Sequence, residues 1–283
     1  KRGGVILEKI RKNKKVIAVF LIPAVLIYLC FELIPVVMSV YFSFNDWPGL
    51  QAVPLKFVGF KNYSNLFHNA VFLKSLQNVL IYVVVSVILQ VPIGFGLGLL
   101  IHHFKKGQRF FKAAFFIPMI LSVTAVALLW NFIYFPTDKG ILNSLLIKIG
   151  LGNYIQQWLV NPKTSLICLI VVSTWTSVGY YMIMCLAGLT SIPDSVLEAG
   201  ELDGATGWKK IWNLYIPMLW EPLKMSTIMV ITGVLKIFDT VYILTPTGGT
   251  SNCTIVPALL MYNEAYRYGH YGTGSAIATV IFV

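Results

Sequence analysis

The sequence predicts an all-α integral membrane protein of six transmembrane helices, the sixth truncated, with a polar helical hairpin between the fourth and fifth. Three observations predict this class. Of 283 residues, 57% are hydrophobic and only 12% charged, against about 25% charged in ordinary soluble domains. The apolar residues gather into blocks, each long enough for the roughly 20 residues a helix needs to cross the hydrocarbon core. None of the blocks shows the strict alternation of a membrane β-strand.

The chain divides by composition into a basic tail, residues 1–15, and a transmembrane domain, residues 16–283. Seven of the 22 basic residues lie in the tail, and Lys105, Lys106, Arg109 and Lys112 flank the second and third blocks. Basic residues beside spans remain on the cytoplasmic side. The N-terminus and the 102–112 turn are therefore expected inside. Alternation from these two places the 190–218 loop inside as well, although its only basic residues, Lys209 and Lys210, are outnumbered by acids, and places residues 45–74, 136–163 and 245–270 outside. The net charge of +11 then reports topology and a lipid bilayer as partner, and not nucleic acid. The tail leads into a stretch longer than a signal-peptide core, without a small-residue cleavage site, so no cleavable signal peptide is expected.

The spans are residues 16–44, 79–101, 113–135, 165–189 and 219–244, with a sixth beginning near Tyr271 and cut off at Val283. Pro23, Pro35, Pro92 and Pro118 are expected to interrupt the first three, because proline removes a helical hydrogen bond and clashes with the preceding turn. Gly94 and Gly98 have the spacing of a close-packing face. Between the third and fourth spans, Ile141, Leu142, Leu145, Leu146 and Ile149 recur at helical spacing. Ile255, Leu259, Tyr262 and Tyr266 do so before the sixth.

The 191–217 loop has its own pattern. Ser191 and Asp194 read as a capping box, with Pro193 in the first turn, followed by a helix through Leu202. Asp203-Gly204 is a breaker pair. A second helix, residues 208–216, should place Ile211, Trp212 and Tyr215 on one face and stop at Pro217. Ala199, Gly200, Gly204 and Ala205 are small enough for another protein's backbone to approach. Glu198, Glu201 and Asp203 could meet basic residues there, or simply be solvated.

Lys236 and Asp239, three apart in the fifth span, are expected on one helical face, as a self-satisfying pair or as a site lining a path. Charged groups at membrane depth face a cavity or a partner. Trp175, Tyr180 and Tyr181 suit packing or stacking against a sugar, and Gln90 and Asn131 are further polar groups at depth. Glu32 lies in the first span. No GxxxxGK[ST] phosphate loop, catalytic set or metal-ligand spacing occurs. His68, His102, His103 and His270 are scattered, and Cys30, Cys168, Cys185 and Cys253 read as small apolar residues.

At the 191–217 loop a resemblance enters. Glu198-Ala199-Gly200, Gly204, Leu214, Ile216 and Pro217 resemble the EAA loop of bacterial ABC importer permeases: EAA, three residues, G, nine residues, I, one residue, L-P. Gly200, Leu214 and Ile216 depart from that pattern by small-for-small or aliphatic exchange. The longer form EAxxxDGA, here Glu198 to Ala205, resembles the carbohydrate-uptake branch. Val58-Gly59-Phe60-Lys61-Asn62-Tyr63, Arg109-Phe110-Phe111 leading to Pro118, Gly140-Ile141-Leu142-Asn143 and Tyr271-Gly272 are similar to further family motifs.

The resemblance implies a bacterial or archaeal cytoplasmic-membrane subunit that forms a sugar or oligosaccharide path with a second permease. Two cytoplasmic ATPase subunits would bind ATP and Mg, this chain holding no cofactor. An extracellular solute-binding protein would deliver substrate. The docking residues would be Glu198, Ala199, Gly200, Asp203, Gly204, Ala205 and Pro217. The rival class is a self-contained ion-coupled transporter using Lys236 and Asp239, which would show inverted repeats. None is apparent.

Overall fold

The computed structural model describes residues 14–50, 52–104 and 107–282. Most of the basic tail, Lys105, Lys106 and Val283 lie outside them. Helices α1 (Lys14–Tyr28) and α2 (Ile34–Ser43) are joined by a π-helical turn, Leu29–Leu33, and followed by strands β1 (Asn45–Asp46) and β2 (Lys56–Phe57). Next come α3 (Lys61–His68), α4 (Ala70–His103), α5 (Gln108–Ile120), α6 (Val123–Ile133), α7 (Ile141–Lys148) and α8 (Ser165–Thr190). The hairpin contains α9 (Asp194–Leu202), α10 (Trp208–Lys210), a π turn at Ile211–Tyr215 and α11 (Ile216–Met218). The chain continues through α12 (Trp220–Leu235), α13 (Asp239–Leu244), α14 (Pro257–Tyr262), a π turn at Asn263–Arg267 and α15 (Tyr271–Phe282).

Three helical stretches are long and apolar enough to cross a membrane by themselves: Ile17–Ser43, Ala70–His103 and Ser165–Thr190. The third expected span is two helices, α5 and α6, bent by 99°. Ser122 at the break caps α6, its hydroxyl accepting from the Ala125 amide at 3.2 Å. The fifth expected span is also not one rod. It stops at Lys236, and a new helix begins at Asp239. Pro92, in contrast, sits inside an unbroken α4. A membrane helix tolerates proline where its surroundings satisfy the freed backbone.

Among the described residues, one compact unit comprises those within 14–68 and 261–282. Most of its first span is exposed, with Phe20 80% and Phe31 79% open, the surface expected of a helix facing lipid or another subunit. Glu32 is exposed within the π turn. The unit is held at one end by Asn62, whose Nδ2 donates to the carbonyls of Ser43 (2.8 Å) and Asn45 (3.0 Å). Gly272 lies so close to the Asn45 carbonyl that any Cβ would overlap it.

The second unit, residues 69–260, is built on the seam between α4 and α8. Ser75, Tyr82, Ser86, Gln90, Gly94 and Gly98 of α4 are all buried, and their near-fourfold spacing places them on one face. A Cβ on Gly94 would stand 2.8 Å from Tyr181 Cβ, and one on Gly98 3.2 Å from Cys185 Cβ. The intervening Gly96 meets nothing within 4 Å. Gly94 and Gly98 are therefore the close-packing face that their spacing predicts, and Gly96 takes no part. Farther along the seam the Tyr82 hydroxyl donates to the Leu169 carbonyl at 2.9 Å.

The helix expected around residues 141–149 forms as α7, but its burial is reversed. Ile141, Leu145 and Ile149 are more than half exposed, whereas Asn143 is fully buried. Its Nδ2 donates to the carbonyls of Phe135, Thr137 and Gln156, and its Oδ1 accepts from the Gln156 amide and Trp158 Nε1. The helix is placed by one polar hub, and its apolar residues are left for lipid or a partner.

Candidate functional site

The 191–217 segment is a helical hairpin with a braced turn. The capping box read from Ser191 does not form. Ser191 is the C-cap of α8, and its hydroxyl donates back to the Ala187 carbonyl at 2.9 Å. The residue before α9 is Pro193, which provides no side-chain cap. Asp194 instead lies in the first turn, where a carboxylate favours the positive end of the helix dipole.

The turn after α9 is the feature the breaker pair predicts. Gly204 has φ +78°, its amide donates to the Glu201 carbonyl, and the Ala205 amide donates to the Gly200 carbonyl. This paired arrangement with a left-handed glycine is the Schellman motif, which satisfies the last carbonyls of a helix. Lys210 of the second arm then meets Glu201 of the first at 2.6 Å, and that hydrogen bond is the main cause raising the Lys210 pKa above its ordinary value.

Gly200 does not present itself to solvent as the small-residue reading expects. It is half-buried, and a Cβ there would stand 3.2 Å from Leu214 Cδ2 of the second arm. Glu198, Ala199, Asp203 and Gly204 are exposed, and Ala205 is half-buried. The second arm also differs from expectation. The π turn shifts its register, so that Ile211, Leu214 and Tyr215 are half-buried while Trp212 is 65% exposed. Pro217 does not end this arm. It sits in the first turn of α11, which runs to Met218 before a 73° bend into α12.

The root of the hairpin is apolar and tightly held. Leu189, Ile192 and Leu219 form a buried cluster with Phe95, Leu99, Val196, Leu197, Tyr215 and Leu223 packed against it. A Cβ on Gly188 of α8 would overlap Leu219. The hairpin therefore bears directly on α4, α8 and α12. One exposed feature was absent from the sequence reading: Leu202, at the tip, is 89% exposed, as is Trp208 to 76%. The available signal was their position beside a breaker pair, outside any apolar block.

The residues considered for a path separate. Lys236 ends α12 and Asp239 opens α13, so they do not share a helical face. Both are exposed, and no ion pair joins them among the described residues. Trp175 is half-buried with its ring edge-on to Trp130 at 5.8 Å. The Tyr180 hydroxyl lies 3.6 Å from Met229 Sδ, and Asn131 is half-buried. None of these five lines the half-open cavity nearby. That space, about 250 Å³, is walled by Gln90 of α4, Ser173, Thr176, Ser177 and Tyr181 of α8 and Thr240 of α13. Among the described residues no group of three or more His, Cys, Asp or Glu side chains could hold a metal ion.

Residues 90–283 match the family described as binding-protein-dependent transport system inner membrane component. The chain belongs to this family. The matched residues include both the hairpin and the cavity wall. The probable ABC transporter permease protein YurN of Bacillus subtilis is 36% identical over 97% of this chain and 93% of its own length. The lactose transport system permease protein LacF of Rhizobium radiobacter is 33% identical over 93% and 87%. A bacterial ABC transporter involved in importing the acidic polysaccharide alginate has the same fold. Its crystal structure superposes with TM-score 0.81 over 96% of this chain and 91% of that one, at 22% identity. Membership makes the chain a multi-pass inner-membrane transport component, and its apolar helices agree with that placement.

Proposed function

We propose that this chain is a membrane subunit of an ATP-driven importer of sugars or oligosaccharides, coupled to cytoplasmic ATPase subunits through the 191–217 hairpin. The observation that carries the reading is the form of the hairpin. Its turn is braced internally, its root is locked into α4, α8 and α12, and its tip displays Glu198, Ala199, Leu202 and Asp203 to a partner. A helix seated in a groove of an ATPase would thus move the spans with little loss in the connection. Asp203, Gly204 and Ala205 set the tip, Gly200 lets Leu214 of the second arm pack close against the first, and Pro217 lies in the first turn of α11 just before the bend into α12.

The sugar class is supported by relatives such as the lactose permease and the arabinooligosaccharides transport system permease protein AraP of Bacillus subtilis. In this reading a second permease completes the path, two ATPase subunits bind ATP and Mg, and a solute-binding protein delivers substrate from outside. The basic N-terminus and the hairpin lie in the cytoplasm. The ion-coupled alternative loses its motive, because Lys236 and Asp239 are divided by the helix break.

The test is purification of the tagged chain from its native membrane. Recovery of two ATPase chains and a second permease is expected with the wild-type chain. Recovery as a lone polypeptide that transports on an ion gradient without ATP contradicts the proposal.

A further inference from the structure

A half-open groove of about 1,020 Å³ runs between the last turns of α4 and the second arm of the hairpin. Its two ends differ in chemistry. Along α4 the wall is apolar, built from Val91, Phe95, Leu99 and Leu100, with Ile216 and Leu223 from the later helices. At the end of α4 the lining turns basic, with His102, His103 and Lys210. Gly96 also lines the groove, and a Cβ there would meet nothing within 4 Å, so this stretch of wall is open for want of a side chain. At a helical rise of about 1.5 Å per residue, Val91 and His103 stand about 18 Å apart along α4. That is close to the depth of one leaflet, half of the roughly 30 Å hydrocarbon core.

The basic end carries an excess of cation. Glu201 lines it too, but is engaged by Lys210 at 2.6 Å. Lys209 precedes that lysine, Arg109 and Lys112 lie in the first turns of α5, and no acidic residue occurs between Asp46 and Asp138. Basic pockets between helices on the cytoplasmic side bind anionic lipid headgroups. Trp208 and Trp212 line the same end and are 76% and 65% exposed, and such rings collect at headgroup depth. The groove also adjoins the hairpin root. Phe95, Leu99, Tyr215 and Leu223 line it and pack against the Leu189, Ile192 and Leu219 cluster, so an occupant of the groove bears on the joint between hairpin and spans.

We propose that this groove seats an anionic phospholipid of the cytoplasmic leaflet, acyl chain along α4 past Gly96 and headgroup at the His102–His103 end, and that the seated lipid braces the hairpin root. The inference rests on the cytoplasmic placement of the hairpin in the reading above, and adds a lipid partner that touches neither the substrate path nor the exposed tip. A lipid without net charge could cover the apolar wall equally well, but would gain nothing from the basic end.

The test uses the assembled complex, with the full-length chain, in phosphatidylcholine nanodiscs. These carry a trace of photoactivatable phosphatidylglycerol or, in a parallel sample, photoactivatable phosphatidylcholine with the same acyl chains, and labelled peptides are mapped by mass spectrometry. Phosphatidylglycerol is expected to label residues 91–104 and 208–216 about fivefold or more over phosphatidylcholine, the preference that one basic side chain near the headgroup gives. Gly96→Trp fills the groove and should remove most of this label. His103→Glu, at an exposed position of the rim, should bring phosphatidylglycerol down to the phosphatidylcholine level, and it decides the matter if Gly96→Trp fails to assemble. Substrate-stimulated ATP hydrolysis should be higher in wild-type nanodiscs made with phosphatidylglycerol, and Gly96→Trp should lose that difference. Equal labelling by the two lipids, label that survives in assembled Gly96→Trp, or cross-linking of these peptides to a second permease chain in place of lipid overturns the inference. Each of these results leaves the importer reading standing, which falls only if the native complex contains no ATPase.

Discussion

Glu201 and Lys210 meet at 2.6 Å across the turn of the hairpin, the lysine side chain 17% exposed and the glutamate 57%. The pair ties the two arms, yet an ion pair this open contributes at most about 1 kcal/mol. The turn geometry is the stronger constraint, since a side chain at Gly204 must enter the left-handed region at about 1–2 kcal/mol. Lys210→Ala should therefore shift the thermal midpoint of the purified complex little. Gly204→Val should lower it further and reduce uptake more. Equal effects of the two variants would mean that the ion pair, and not the turn, fixes the hairpin.

The same pair gives a pH expectation. The Lys210 pKa is raised above 10.5, chiefly by its hydrogen bond to Glu201. A lysine whose folded pKa is raised contributes its stability below the unfolded value, and loses it as pH rises through the folded one. Between about pH 7 and 9 the pair is therefore intact, and the difference in uptake between wild type and Lys210→Ala should stay constant over that interval. A difference that vanishes by the upper end would assign the effect to another titrating group.

Along the α4–α8 seam, glycine is required at two positions and not at the third between them. Gly94→Ala forces a methyl to within 2.8 Å of Tyr181 Cβ, and overpacking of this kind costs about 1–3 kcal/mol. Gly96→Ala meets nothing and should be neutral or slightly stabilising. Thermal unfolding of the two variants, monitored in detergent, checks the contrast. Equal midpoints would show that the seam is looser than described.

Asn143 is the buried hub of the 135–158 segment. Asn143→Ala removes both of its hydrogen-bonding groups, and the partners left behind cost about 1–3 kcal/mol for each buried group unsatisfied. Asn143→Asp is expected to be worse, because it turns an acceptor toward the carbonyls of Phe135, Thr137 and Gln156 that now accept from Nδ2. Limited proteolysis of the 136–163 segment should be faster in both variants. Wild-type resistance would show that α7 is held by other contacts.

Much of this architecture is readable from local sequence, because hydrophobic blocks and a glycine turn are local signals. The Gly204 turn and the Gly94–Gly98 face follow from spacing alone. The break after Lys236 does not, since Val234, Leu235, Ile237 and Phe238 continue the apolar pattern without glycine or proline. Ser191 misleads for a related reason. Its hydroxyl can serve the amides ahead or the carbonyl behind, and the length of α8 puts the Ala187 carbonyl within reach. Burial of Asn62 and Asn143 is decided by backbone groups from other segments, which no periodicity records. The cavity likewise gathers residues from six helices and the breaks between them, so Gln90 is identifiable only as a polar group at depth and Tyr181 only as an aromatic suited to packing or stacking.

The central claim is that the hairpin transmits the work of a partner ATPase, and it is tested most directly at the exposed tip. Glu198 and Leu202 are exposed, so Glu198→Lys and Leu202→Ser should leave the chain's own fold and membrane insertion intact. If they contact the ATPase as interface anchors, each loses about 2 kcal/mol of docking energy, roughly thirtyfold in affinity. The measurement is substrate-stimulated ATP hydrolysis and uptake by the reconstituted complex. The account predicts that both fall together in the two variants while the inserted amount of the chain is unchanged. Wild-type uptake and ATP hydrolysis in the double variant would contradict it.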